Sequence, residues 1–118
     1  MVLVVDDHPD TAMLLTKVLG KAGVRAEYVT SGPDALGFLS RQRPKLVILD
    51  VMMPDMDGID VLRAIRKEPA FDAVKVMMYT ADVSYSRWKD ALRAGANAYV
   101  VKGTVNWDDL VNEVRSLI

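Results

Sequence analysis

The chain has 118 residues, 51% of them hydrophobic and 26% charged, and its net charge is −1; this balance is typical of one globular domain. The absence of cysteine and the single histidine exclude disulfides, thiolate metal sites and zinc sites built from several histidines. The small net charge gives no overall field that would attract nucleic acid or an anionic membrane, and no apolar run is long enough to span a bilayer.

The first half of the chain alternates short apolar runs with longer amphipathic stretches. Val2–Val5 is continuously apolar, as expected of a strand that is covered on both faces. Pro9 is expected to open the helix that follows and Gly23 to end it. Residues 24–29 alternate apolar and polar side chains, which predicts a strand with one wetter face. Ser31 is predicted to cap the second helix.

The second half continues the same alternation. Strands are predicted over 46–49, 74–79 and 98–101, and helices over about 59–68, 83–94 and the residues after Asn106. Five strand–helix repeats with short loops predict a parallel sheet with helices on both faces. In such a sheet the ligand site lies beyond the carboxyl ends of the strands. We therefore expect a single α/β domain over residues 1–118, in a cytoplasmic setting.

Polar residues close four of the predicted strands. Asp6 and Asp7 follow the first strand, Asp50 the third, Thr80 the fourth and Lys102 the fifth. Each of them alone is more often a turn residue or a helix cap than a functional group. Because the carboxyl ends of parallel strands share one edge of the sheet, we expect all five to converge. Their combination and order favour a functional site over four unrelated turns.

The chemistry of these side chains suits phosphoryl transfer. Three neighbouring carboxylates repel one another, and a hard divalent cation such as Mg²⁺ relieves that repulsion while binding phosphate oxygens. Lys102 adds a positive charge and Thr80 a hydroxyl donor. Positioning and charge neutralisation do most of the work in phosphoryl transfer. Asp50, alone at the end of its strand, is the predicted nucleophile.

The segments that carry these residues resemble the receiver domains of two-component response regulators. The matching segments are Val4–Asp7, Leu49–Gly58, Thr80–Ala81 and the stretch from Gly95 through Tyr99 to Lys102. The similarity covers essentially the whole chain, and the segment from Asp50 to Gly58 is the most specific part. The resemblance implies a chemotaxis-regulator-like, doubly wound sheet of five parallel strands in the flavodoxin-like order 2-1-3-4-5.

The resemblance also implies a role for each residue at the acidic end of the sheet. Asp7 and Asp50 would bind Mg²⁺ directly, Asp6 would bind it through water, and Met52 would contribute its backbone carbonyl. Asp50 would be the phosphoacceptor.

Further roles are implied for the later strands. Thr80 and Lys102 would hold the phosphoryl group, and Ala81 would leave room for it to enter. Tyr99 matches the aromatic residue that, in this family, swings inward when the hydroxyl residue moves. Thr80 and Tyr99 would thus form the switch.

The implied function is a phosphorylation-dependent signalling switch that is not a turnover enzyme. A histidine kinase or phosphotransfer protein would phosphorylate Asp50. The face formed by the fourth helix, fifth strand and fifth helix would then change its affinity for an effector domain or output protein, or for a second copy in a homodimer. The domain itself would contact neither nucleic acid nor membrane.

One position departs from the family pattern and keeps a second function open. The family usually has proline after the lysine of the fifth strand, whereas this chain has Gly103. The lysine loop is then expected to be trans, more mobile, or both. A misplaced Lys102 would favour an interaction module that works without phosphorylation. A hydrolase is disfavoured, because Met52 stands where such enzymes commonly carry a second acid.

Other conspicuous residues have plainer interpretations. A phosphohistidine or metal role is possible for His8, but a solvated residue at a helix start is favoured, because the oxygen site is already complete without it. Asp55 and Asp57 are interpreted as residues that shape the loop before the third helix. For Trp88 and Trp107, the sequence favours core packing and a partner interface equally.

Overall fold

Five strands and five α-helices alternate in the computed structural model, which describes residues 1–118. Strands β1 to β5 span Val2–Val5, Ala26–Val29, Leu46–Leu49, Lys75–Thr80 and Ala98–Val101. Helices α1 to α5 span Pro9–Lys21, Gly32–Arg41, Gly58–Lys67, Tyr85–Arg93 and Trp107–Leu117, and a single 3₁₀ turn spans Pro69–Phe71. All predicted elements are present, with small shifts in the bounds of β2, β4 and α4. None of the helices combines the length and the apolar composition that a membrane span requires.

The sheet is entirely parallel and its strand order is β2-β1-β3-β4-β5, as predicted. The continuously apolar strands β1 and β3 are neighbours inside the sheet, and every residue of both is buried. β2 lies at one edge and is only partly buried, which accounts for its alternating pattern. Val5 pairs with Leu49, so the chain leaves β1 and β3 side by side and at the same height.

Two apolar layers cover the two faces of the sheet. The residues Ala12, Leu15 and Leu19 of α1 pack on one face together with the apolar side of α5. Helices α2, α3 and α4 pack on the other face. The apolar stripe predicted for α1 is therefore its buried side, and both faces of the sheet are covered by helices.

Short polar side chains cap two of the helices, and the Ser31 cap is the one predicted above. The Ser31 hydroxyl accepts a hydrogen bond from the Asp34 backbone N–H at 3.1 Å, and the Asn106 side chain accepts one from the Asp109 N–H at 2.8 Å. Each cap satisfies a backbone donor that has no partner within its helix.

The half-buried side chain of Arg66, at the end of α3, joins three parts of the chain. Its guanidinium donates to the Gly95 carbonyl at 3.1 Å, to the Val74 carbonyl at 2.7 Å and to the Asn97 side-chain oxygen at 3.0 Å. Burial lowers the pKa of Arg66, and the charge of Asp72 partly offsets that effect. One side chain thus ties α3 to both ends of the segment that carries β4 and α4.

Replacing Arg66 with alanine is expected to lower the free energy of unfolding by about 2 kcal/mol, because three acceptors lose a charged donor. Arg63→Ala is the matched control on the same helix, since Arg63 is half exposed and pairs only with Asp60 at 3.2 Å. That change should cost less than about 0.5 kcal/mol. Equal losses in urea denaturation of the two variants would contradict this role for Arg66.

Candidate functional site

The polar residues predicted to converge all lie at the carboxyl edge of the sheet. Asp6 and Asp7 follow β1, Asp50 follows β3, Thr80 is the last residue of β4, and Lys102 follows β5. The pairing of Val5 with Leu49 brings the residues after β1 and β3 next to each other. Parallel pairing therefore brings side chains distant in sequence to one small region.

Lys102 bridges two of the carboxylates directly. Its Nζ atom lies 2.7 Å from Oδ2 of Asp6 and 3.0 Å from Oδ2 of Asp50. Asp6 and Asp50 are only 3% and 5% exposed. Burial by itself lowers the pKa of Lys102, but its hydrogen bonds to Asp6 and Asp50 and their negative charges outweigh that effect and raise it. The lysine is therefore a charged ammonium group at neutral pH.

The Oδ1 atoms of the three carboxylates have different surroundings. Oδ1 of Asp50 accepts a hydrogen bond from the Met52 N–H at 3.2 Å, and Oδ1 of Asp6 accepts one from the His8 N–H at 2.9 Å. Oδ1 of Asp7 is buried and accepts no hydrogen bond. Because a buried carboxylate oxygen without a hydrogen bond is costly, this atom has the environment of a cation ligand.

The acidic cluster fits a hard divalent ion. One ligand atom from each of Asp6, Asp7, His8 and Asp50 lies within 4.8 Å of the others. Three carboxylates against one ammonium leave excess negative charge in a mostly buried setting. Oxygen ligands and negative charge are what Mg²⁺ requires, so the donor set fits the predicted ion. The exposed side chain of Met52 takes no part, and the use of its backbone carbonyl as a ligand stays a prediction.

The two predicted switch residues both bond to Asp82, in the loop between β4 and α4. The buried Thr80 hydroxyl accepts a hydrogen bond from the Asp82 N–H at 3.2 Å, and the Tyr99 hydroxyl donates to the Asp82 carbonyl at 2.9 Å. Burial raises the pKa of Tyr99, and so does the nearby charge of Asp82, so the phenol keeps its proton. No sequence pattern marks Asp82, because both bonds use its backbone rather than its side chain.

A glycine turn positions Lys102 without proline. The Val101 carbonyl accepts a hydrogen bond from the Thr104 N–H at 3.2 Å, and Gly103 has φ +83°. This left-handed conformation favours glycine in the third position of a tight turn. The Lys102–Gly103 peptide bond is trans, and the Lys102 N–H still bonds to the Thr80 carbonyl at 2.8 Å. The lysine therefore reaches the cluster although the usual proline is missing.

The loop between β3 and α3 is tied to α4. Asp57 caps α3 by accepting a hydrogen bond from the Ile59 N–H at 2.7 Å, and its Oδ2 lies 2.8 Å from a guanidinium nitrogen of Arg87. Asp57 thus shapes the loop, as the sequence predicts. Its pairing with Arg87 could not be foreseen, because the two residues lie thirty positions apart and only the fold brings them together.

Both tryptophans lie at the surface. Trp88 is 40% exposed and Trp107 is 42% exposed, so neither is a core residue. Trp88 stacks on Tyr85 with ring centroids 5.4 Å apart. Together with Leu92, and with Val83 in the loop before the helix, these rings are exposed apolar side chains on and beside α4.

The charge balance at the site predicts the effect of removing the ammonium group. Lys102→Met should tighten Mg²⁺ binding about tenfold, because a positive charge beside the carboxylates opposes a cation by roughly 1–3 kcal/mol in a partly buried setting. Lys75→Met makes the same change in net charge at the opposite edge of the sheet, where Lys75 is exposed. The Mg²⁺ affinities of both variants can be measured by isothermal titration. If Lys102→Met bound Mg²⁺ no more tightly than Lys75→Met, the predicted repulsion between Lys102 and the ion would be contradicted.

Comparison with known proteins identifies relatives over the whole chain. The chain is 40% identical over 101 residues to the DNA-binding response regulator MtrA of Mycolicibacterium smegmatis, covering 86% of this chain and 43% of that protein. It is 36% identical over 117 residues to the probable transcriptional regulatory protein TcrX of Mycobacterium tuberculosis, covering 99% of this chain and 49% of that protein. The chain therefore spans less than half the length of these two relatives.

A solved structure and a family profile agree with these relatives. The chemotaxis protein CheY4 of Vibrio cholerae superposes with a TM-score of 0.91 at 26% identity, covering 99% of this chain and 97% of that one. The sequence profile of the response regulator receiver domain matches residues 2–115. With the sheet order, the helical layers and the acidic edge in place, the chain belongs to the receiver domain family of two-component response regulators.

Proposed function

We propose that the chain is a phosphorylation switch in which Asp50 accepts a phosphoryl group from the phosphohistidine of a histidine kinase or phosphotransfer protein. The observation that carries the proposal is the contact of the Lys102 ammonium with both Asp6 and Asp50, beside the Asp7 oxygen that accepts no hydrogen bond. Receiver domains are signalling domains rather than turnover enzymes. We place the domain in the cytoplasm, where the kinase would act.

Each residue at the sheet edge has a separate task in this proposal. Asp6, Asp7, Asp50 and the Met52 carbonyl would hold Mg²⁺, which neutralises negative charge on the phosphoryl oxygens. An oxygen of Asp50 forms the new bond to phosphorus while the bond from phosphorus to the donor imidazole nitrogen breaks. The charged Lys102 stays beside Asp50 and offsets the negative charge that the product gains.

The buried Thr80 would carry the signal away from the phosphoryl group. Its hydroxyl is bonded to the Asp82 N–H, so a new hydrogen bond from Thr80 to a phosphoryl oxygen would pull on the segment that Tyr99 also holds. The result would be a shift between two populations of the face formed by α4, β5 and α5. The exposed Tyr85 and Trp88 would then meet an output domain, an output protein or a second copy of the chain.

Removing the Tyr99 hydroxyl should separate phosphorylation from its consequence. Tyr99→Phe keeps the ring but loses the bond to Asp82, so phosphoryl uptake should persist while the response of α4 diminishes. The fluorescence of Trp88, measured in a Trp107→Phe background, would report that response to a phosphodonor. An unchanged fluorescence response in Tyr99→Phe would contradict the role of this hydroxyl.

The test of the function uses the chain itself, Mg²⁺ and a small-molecule phosphodonor such as acetyl phosphate. Intact mass should show one added phosphoryl group that depends on Mg²⁺, and mapping of the modified residue should identify Asp50. Absence of any uptake under these conditions would overturn the switch and favour the second candidate, a receiver-like interaction module that works without phosphorylation. The departure at Gly103 is the observation that motivates this alternative.

A further inference from the structure

His8 lies at the mouth of the acidic cluster. It immediately precedes α1, and its side chain is 72% exposed. Its Nδ1 atom nevertheless lies 3.4 Å from Oδ1 of Asp6 and 3.3 Å from Oδ1 of Asp7. The exposure agrees with a solvated residue, but the position of the ring nitrogen favours the metal role, which the sequence left as the lesser alternative for His8.

The imidazole and the ammonium group occupy different sides of the Asp6 carboxylate. Lys102 binds Oδ2 of Asp6, whereas His8 faces Oδ1. The neighbouring Oδ1 of Asp7 is the buried oxygen that accepts no hydrogen bond. The His8 ring nitrogen and this Asp7 oxygen are therefore adjacent, 3.3 Å apart, whereas Lys102 contacts Asp6 and Asp50 through their Oδ2 atoms.

We propose that His8 is an additional ligand of the cation site, and that it makes the site bind borderline divalent ions such as Zn²⁺ through mixed oxygen and nitrogen ligands. The inference rests on the cation site of the proposed function and extends it to a second class of ion. Mg²⁺ prefers oxygen ligands and would gain little from the ring, whereas Zn²⁺ binds imidazole nitrogen well. His8 would thus set which ion the acidic residues take.

The test compares two ions on the wild-type chain and on His8→Ala by isothermal titration. Zn²⁺ affinity should fall about tenfold or more in His8→Ala, while Mg²⁺ affinity should change less than about twofold. The chain has one histidine and no cysteine, so no other side chain supplies an imidazole or a thiolate. Electron paramagnetic resonance with Cu²⁺ as the probe should show nitrogen coupling in the wild type that is lost in His8→Ala.

Further variants separate this inference from the proposed function. Asp7→Asn should weaken both ions, because they share that carboxylate. The inference would be overturned if wild type and His8→Ala bound Zn²⁺ with equal affinity, or if the nitrogen coupling were unchanged in His8→Ala. It would also be overturned if Asp7→Asn had no effect on Zn²⁺ affinity. A different outcome is that the wild type fails to bind Mg²⁺ while its Zn²⁺ affinity still depends on His8 and Asp7. This result would contradict the proposed function and support the inference.

Discussion

Asp50→Asn is expected to abolish phosphoryl uptake completely. Asparagine has the shape of aspartate but lacks the charge and nucleophilicity of the carboxylate, so no bond to phosphorus forms. Mg²⁺ affinity should fall about tenfold or more, because one of three negative charges is lost. The fold should persist, since an amide oxygen can still accept the hydrogen bond that the Met52 N–H donates to Asp50 at 3.2 Å.

The control for this variant is Asp55→Asn. Asp55 is exposed in the same loop, and neither its charge nor its position contributes to the cluster. Intact mass after incubation with acetyl phosphate should therefore show full uptake in Asp55→Asn and none in Asp50→Asn. Uptake by Asp50→Asn would contradict the assignment of the acceptor. If partner binding were the same in wild type and Asp50→Asn, with and without phosphodonor, the interaction module would be favoured.

Gly58→Ala is expected to cause the largest loss of stability, about 3 kcal/mol or more. A Cβ atom at this position would lie 1.9 Å from the carbonyl oxygen of Asp50 and 2.9 Å from the Cα atom of Val51. Both neighbours are backbone atoms, and the Gly58 N–H is already bonded to the Val51 carbonyl at 2.8 Å. Relief of the clash must therefore move the backbone of Asp50, the proposed phosphoacceptor.

A glycine in open space provides the matched control. Gly20 lies inside α1, and a Cβ atom added there would meet nothing within 4 Å. Gly20→Ala should therefore raise the free energy of unfolding by about 0.5–1 kcal/mol, because alanine is the better helix former. Urea denaturation would contradict the clash at Gly58 if Gly58→Ala were as stable as the wild type. Gly58→Ala should also bind Mg²⁺ more weakly than the wild type, since relief of the clash displaces Asp50.

The sequence could predict those parts of the fold that depend on local pattern. The continuous apolar run Val2–Val5 and the helical spacing of Ala12, Leu15 and Leu19 encode their own burial. The acidic edge could also be predicted, because parallel strands deliver their last residues to one side. The predicted alternation of strands and helices was therefore enough to predict the position of most site residues.

The contacts between loops could not be predicted in the same way. The bond from Tyr99 to Asp82 uses a backbone carbonyl, which every residue possesses and no sequence pattern marks. The three bonds of Arg66 likewise depend on where distant turns come to lie. The absence of proline at Gly103 leaves the position of Lys102 open in the sequence, whereas in the structure the glycine forms the turn after a lysine that contacts the cluster.

The supports at the two ends of α4 are unequal. Near its C-terminal end, Ala91 is fully buried and the Gly95 carbonyl that follows the helix is held by Arg66. Near its N-terminal end, the support from the loop between β3 and α3 is the partly exposed pair of Arg87 with Asp57, which contributes roughly 0.2–1 kcal/mol. Any reorientation of α4 should therefore be a lever-like rotation about Gly95. Tyr85 would then move farthest and Leu92 least. The affinity of a partner that binds α4 would therefore depend mainly on the position of the first turn of this helix.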